Sequence, residues 1–153
     1  MSASPEAIAN KFIKLALENG IFVSNMKLQK LVYIAHGFYL GYKDLPLSNE
    51  TPQAWQYGPV FPSLYCKLRD YGASKVDRLI PGVNDLPEDS EEVQLIQVVW
   101  ESYGKLSAAS LVSRTHAKGT PWSDVWSPDT TKVVIPNSSI KDHFKKLIAQ
   151  FTD

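Results

Sequence analysis

The sequence predicts a mainly α protein: a compact bundle of six or seven short helices with minor extended or β-hairpin pieces. Three observations carry this. Apolar residues recur at spacings of three and four through most of the chain, and glycines fall mostly where those periodic stretches stop. Strand-like runs such as Val133-Val134-Ile135 are cut short by proline. At 153 residues, 44% hydrophobic and 21% charged, the chain reads as one domain over 1–153 with enough apolar material for a single core.

Ser4 caps a first helix over about 5–19, Pro5 suits its first turn, and Ile8, Phe12, Leu15 and Ala16 form its stripe before Gly20. Ser24 caps the second, whose Leu28, Leu31, Val32, Ala35, Phe38 and Tyr39 give the broadest apolar face, ending at Gly41. Its polar face is expected to carry Lys27, Gln29 and Lys30. Between Leu45 and Pro62, four prolines and three aromatics predict an aromatic-rich connector, with Gln53 to Tyr57 briefly extended and Gly58-Pro59 as the turn. Pro62 opens a third helix with Leu64, Tyr65, Leu68 and Tyr71, capped by Gly72.

Residues 73–87 read as a loop with room for one short strand at Leu79-Ile80. Asp85, Glu88, Asp89, Glu91 and Glu92 crowd the start of a fourth helix, where its dipole favours negative charge. Val93, Ile96, Val99, Trp100 and Tyr103 bury it, and Gly104 ends it. Ser107 caps a fifth helix running to about His116, and Thr120-Pro121 starts a short segment bearing Trp122, Val125 and Trp126. Val133 to Ile135 is the clearest strand, and a last helix over about 138–151 buries Ile140, Phe144, Leu147, Ile148 and Phe151.

Sixteen Lys and Arg balance sixteen Asp and Glu, so no global field draws in a polyanion, and nucleic acid is not expected as a partner. Zero net charge also removes long-range self-repulsion and permits a homo-oligomer. The N-terminus lacks the basic and apolar regions of a signal peptide, no apolar run approaches a membrane span, and the single cysteine forms no internal disulfide. A cytoplasmic protein without a membrane partner is expected.

The remaining polar residues offer few candidates for chemistry. Cys66 as nucleophile would need His36, His116 or His143 as base; a buried or half-buried packing thiol is the preferred reading. The histidines share no ligand spacing, so no metal is expected, and the absence of a glycine-rich phosphate loop leaves no cofactor expected. The acids at 85–92 read as a solvated helix start or an acidic recognition patch. His116, between two helices, is expected to bond a loop backbone and hold Trp122. A helix-turn-helix drawn from the first two helices would use Lys27, Gln29 and Lys30 to read DNA, but Lys11, Lys14, Lys27 and Lys30 serve equally as the wet faces of amphipathic helices.

The order of segments is more informative than any one of them. Leu28-Gln29-Lys30-Leu31-Val32-Tyr33-Ile34-Ala35-His36, Pro46-Leu47, and Ala54-Trp55-Gln56-Tyr57-Gly58-Pro59-Val60 with Tyr65 downstream resemble the Panacea family of antitoxin domains, also called SocA-like. Leu111, Thr115-His116 and Pro121-Trp122 resemble the family's second marker, and the resemblance spans about 6–126. It implies a helical, phage-associated type of domain, without enzymatic activity, that neutralises a cognate toxin protein by binding it. Family alternatives are an adaptor that delivers the toxin to a protease, and a DNA-binding regulator. The expected partner-binding residues are Lys27, Lys30, Tyr33, Trp55 and Tyr57, because aromatic residues outside a clean stripe often anchor interfaces. Leu28, Leu31, Gly58, Pro59, Val60, Tyr65, His116, Pro121 and Trp122 are expected to be structural members of the motif.

Overall fold

A computed structural model describes residues 2–130 and 132–152, with residues 151 and 152 described in backbone only. Its elements are α1 (Pro5–Asn19), α2 (Asn25–Lys43), β1 (Gln53–Trp55), β2 (Gly58–Val60), α3 (Pro62–Leu68) continuing into a 3-10 turn (Arg69–Tyr71), α4 (Glu91–Tyr103), α5 (Ala108–His116), α6 (Pro121–Val125), β3 (Val133–Val134) and α7 (Asn137–Thr152). The mainly α fold is the one the periodicity predicts.

The expected caps form. The side chains of Ser4, Ser24, Ser107 and Thr120 each accept a backbone N–H from the first turn of their helix. Ser90 does the same for α4, which places Asp85, Glu88 and Asp89 in the preceding loop. Gly20 closes α1 at φ 64°, the left-handed conformation that glycine adopts without a Cβ clash. Helix α2 runs past Gly41 to Lys43, with Asp44 left-handed at its end.

Helix α2 occupies the centre and packs against α1, α3, α4, α5, α7 and β2. Its expected wet face is therefore corrected: Lys27, Gln29 and Lys30 are only 5%, 2% and 1% exposed. A helix surrounded on all sides can bury such residues when their polar ends find partners. Lys27 Nζ donates to Gly104 O at 2.6 Å, at the carbonyl end of α4 where a cation is favoured. Against α7 the approach is close. A Cβ on Gly37 would stand 2.1 Å from the Phe144 ring, and one on Gly41 2.7 Å from Ile148 Cδ1. Ile140 and Phe144 are buried in this contact, while the Phe151 side chain lies outside the described residues.

His36 also fastens this centre. The Ser48 backbone N–H donates to His36 Nδ1 at 3.1 Å, so the proton sits on Nε2, which donates to Asn137 Oδ1 at 2.9 Å. One imidazole thereby joins α2, the 45–50 loop and the start of α7.

The extended pieces form one antiparallel sheet in the order β2-β1-β3, with Gln53 opposite Val60, Ala54 opposite Pro59 and Trp55 opposite Gly58. The turn of the hairpin is Gln56-Tyr57, not Gly58-Pro59. Pro59 lies instead within the edge strand β2, where its missing N–H costs no ladder bond. Leu79-Ile80 forms no strand, because the amide of Asn10 takes both backbone groups of Ile80: Nδ2 donates to its carbonyl at 3.0 Å and Oδ1 accepts its N–H at 2.7 Å. No helix among the described residues is long and apolar enough to cross a membrane.

Candidate functional site

Two residues of α2 reach the β1–β2 hairpin. Lys30 Nζ donates to Pro59 O at 2.8 Å, and Gln29 Oε1 accepts the Phe61 N–H at 2.8 Å while its Nε2 donates to Asn25 Oδ1. Gly58, at φ 115°, lets the strand pass over the lysine: a Cβ there would meet Lys30 Cε and Nζ at 3.2 Å and Thr115 Oγ1 at 3.3 Å. From α6, Trp122 Nε1 donates to Trp55 O at 2.6 Å. His116 Nδ1 bonds the Val112 carbonyl, and its ring meets Trp122 edge-on at 5.2 Å. Lys30, Gly58, Pro59, His116 and Trp122 thus belong to one structure, a hairpin tied down by α2 and α6, with Pro121 in the first turn of α6. Leu28 and Leu31 lie fully buried beneath it.

Outside this knot opens a groove of about 700 Å³ between the start of α2, the hairpin and the α3 end. Phe22, Met26, Trp55, Tyr57, Tyr65 and Arg69 are among its lining residues. Phe22 and Tyr57 are both 57% exposed and Met26 is 42% exposed, which makes this a concentration of large apolar side chains left in water. Trp55 is half-buried, packs against Tyr65 at 4.9 Å between ring centroids, and has Lys132 Nζ 5.0 Å from its ring.

The five expected partner-binding residues therefore separate. Trp55 and Tyr57 face the groove, and Lys30 forms part of its lining. Lys27 is turned inward to Gly104 and Tyr33 lies away from the groove, so neither belongs to its lining. Among the described residues Tyr33 Oη has no hydrogen-bond partner, and burial raises the pKa of the phenol. It lines a separate cleft of about 270 Å³ with Tyr103, Arg114 and His143.

Burial without a compensating carboxylate lowers the Lys30 pKa to about 7 and also lowers that of Lys27. Burial lowers His36 as well, against the opposing hydrogen bond to Asn137. Cys66, expected to be packed, is exposed on α3, whose buried side is held by Leu64 and Leu68. The acids of 85–92 include three engaged members: Glu88 pairs with Lys11 at 3.2 Å, Glu91 pairs with Lys43 at 2.8 Å, and Glu92 accepts from Tyr39 Oη at 3.1 Å.

Sequence reasoning missed Phe22, Met26 and Arg69. Phe22 had a readable signal, an apolar residue between the Gly20 stop and the Ser24 cap. Met26 lies off the stripe of α2, and Arg69 carries no pattern that separates it from other surface cations.

The family described as Antitoxin SocA-like, Panacea domain, matches residues 28–123. The chain is 34% identical over 158 positions to a protein named Antitoxin SocA from Caulobacter vibrioides (strain NA1000 / CB15N), covering 94% of this chain and 84% of that protein. No solved structure matches.

Proposed function

The chain belongs to the SocA-like, Panacea-domain antitoxin family, and from that premise we propose that it neutralises a cognate toxin by direct protein–protein contact, with the groove beside the β1–β2 hairpin as the contact surface. The observation that carries the reading is the coincidence of two features. The family match includes the segments that build the hairpin, and next to them Phe22, Met26 and Tyr57 stand exposed. Large apolar and aromatic side chains around a concave surface are the usual anchors of a protein interface. No catalytic step belongs to this reading.

The adaptor alternative uses the same surface, with a protease as a further partner. The DNA-binding alternative loses its support, since Lys27 and Gln29 turn inward to Gly104 and Phe61 and Lys30 lies at the bottom of the groove, so these three residues present no exposed row to a duplex.

The test is inducible expression of the neighbouring toxin gene in a bacterial host, with and without this chain, followed by co-purification. Growth arrest relieved through a stable complex is the expected result, and Tyr57→Glu should abolish both rescue and complex. Rescue with loss of the toxin protein would assign the adaptor role, and absence of any toxicity would overturn the antitoxin reading.

A further inference from the structure

The groove is apolar in its walls and one-signed in its charge. Among the described residues its charged lining members are Lys30 and Arg69, and no carboxylate lines it. That asymmetry is local, because the whole chain is electrically balanced. Asp70 follows Arg69 in the 3-10 turn but stays outside the lining.

Lys30 is the unusual member. Its Nζ has three donors when charged, yet the one hydrogen bond assigned to it runs to Pro59 O, and it makes no ion pair among the described residues. Proteins seldom bury an ammonium so completely without an anion beside it. Arg69, exposed at the rim, likewise makes no ion pair among the described residues. Its guanidinium is a planar fork suited to gripping a carboxylate through two parallel bonds.

We propose that the groove binds a segment of the toxin that carries a carboxylate beside large apolar side chains, the apolar groups lying against Phe22, Met26, Trp55 and Tyr57 and the carboxylate meeting Arg69 at the rim and Lys30 at the floor. This rests on the direct-binding reading and gives its partner a chemistry. The lowered affinity of Lys30 for its proton is in keeping with it, since an arriving carboxylate restores the charged form. A nucleic acid is a poorer occupant, because a phosphate backbone asks for a row of exposed cations and the groove offers two within an apolar wall.

The experiment sorts a random-peptide display library against the full chain and against Arg69→Glu, Tyr57→Ala and Lys30→Met. Arg69 and Tyr57 are exposed, so the first two variants keep the fold, and an unchanged thermal unfolding midpoint checks this. The expected result is enrichment of peptides with Asp, Glu or a free C-terminal carboxylate next to Phe, Leu, Met or Trp. Their binding should weaken by about tenfold or more in Arg69→Glu and in Tyr57→Ala. In Lys30→Met the preference for an acidic peptide over its amide counterpart should shrink while the apolar preference persists.

Neutral or basic winners, acidic winners indifferent to Arg69→Glu, or no winners at all would overturn the proposal. Winners that copy the chain's own acidic 85–92 segment, with concentration-dependent self-association, would replace the toxin segment by a second copy. The two readings fail separately. A toxin that binds wild type and Arg69→Glu alike leaves the antitoxin reading standing and removes this groove; acidic peptides that need Arg69, with no toxin rescued, do the reverse.

Discussion

Lys30 shows how one buried side chain couples the fold to solution conditions. In the folded chain its amine is neutral above about pH 7, whereas the unfolded chain keeps the proton up to the ordinary lysine value of 10.5. Between these values the unfolded state holds more protons, so stability rises with pH; below about 7 both states are protonated and the contribution to the slope vanishes. Lys27, lowered by the same cause, adds a slope of the same sign. Urea midpoints measured from pH 7 to 9.5 should rise for the wild type, and Lys30→Met should remove up to about 1.4 kcal/mol per pH unit from that slope. Equal slopes in both proteins would refute the assignment. Cys66 gives a second check at this scale: its exposure predicts fast alkylation in the native protein, with rescue of the toxin-expressing host unaffected.

Helices α2 and α7 meet through glycine. Gly37 and Gly41 lie one turn apart on α2, and Phe144 and Ile148, one turn apart on α7, fill the space their missing side chains leave. In an open helix Gly→Ala is stabilising by propensity, by about 1 kcal/mol. Here the sign should reverse. Gly37→Ala forces the Phe144 ring aside and should cost on the order of 1–3 kcal/mol in chemical denaturation. The double variant with Phe144→Leu should recover part of that loss, which a merely local helix effect could not produce.

Across the whole molecule, the hairpin has little secondary structure of its own and is held by ties to other elements. Lys30 and Gln29 of α2 and Trp122 of α6 hold it, and its Trp55 and Tyr57 shape the groove. Trp122→Phe keeps most of the ring while deleting the N–H that bonds Trp55 O, at a cost of about 1 kcal/mol or somewhat more. Hydrogen exchange should speed up at residues 53–60 more than in α1 or α4, and toxin binding should weaken with it. Uniform acceleration across the chain would mean that Trp122 supports the global core and not the hairpin.

The sequence by itself determined the helices, because their signals are local. Ser4, Ser24, Ser107 and Thr120 each cap the helix they precede, and apolar spacing needs only the turn geometry of one segment. The order of markers from Leu28 to Trp122 also sufficed to indicate the family. Which face of α2 meets water could not be read this way, since a lysine in an amphipathic pattern looks the same whether its ammonium is solvated or bonded to Pro59 O across 29 positions of chain. Only packing on every side decided that. It likewise decided that Asn10 would satisfy Ile80 in place of a strand, that the turn would fall at Gln56-Tyr57, and that Phe22, Met26 and Arg69 would converge on one groove. Each of these depends on which distant polar groups and surfaces are brought together, and local sequence carries no record of that meeting.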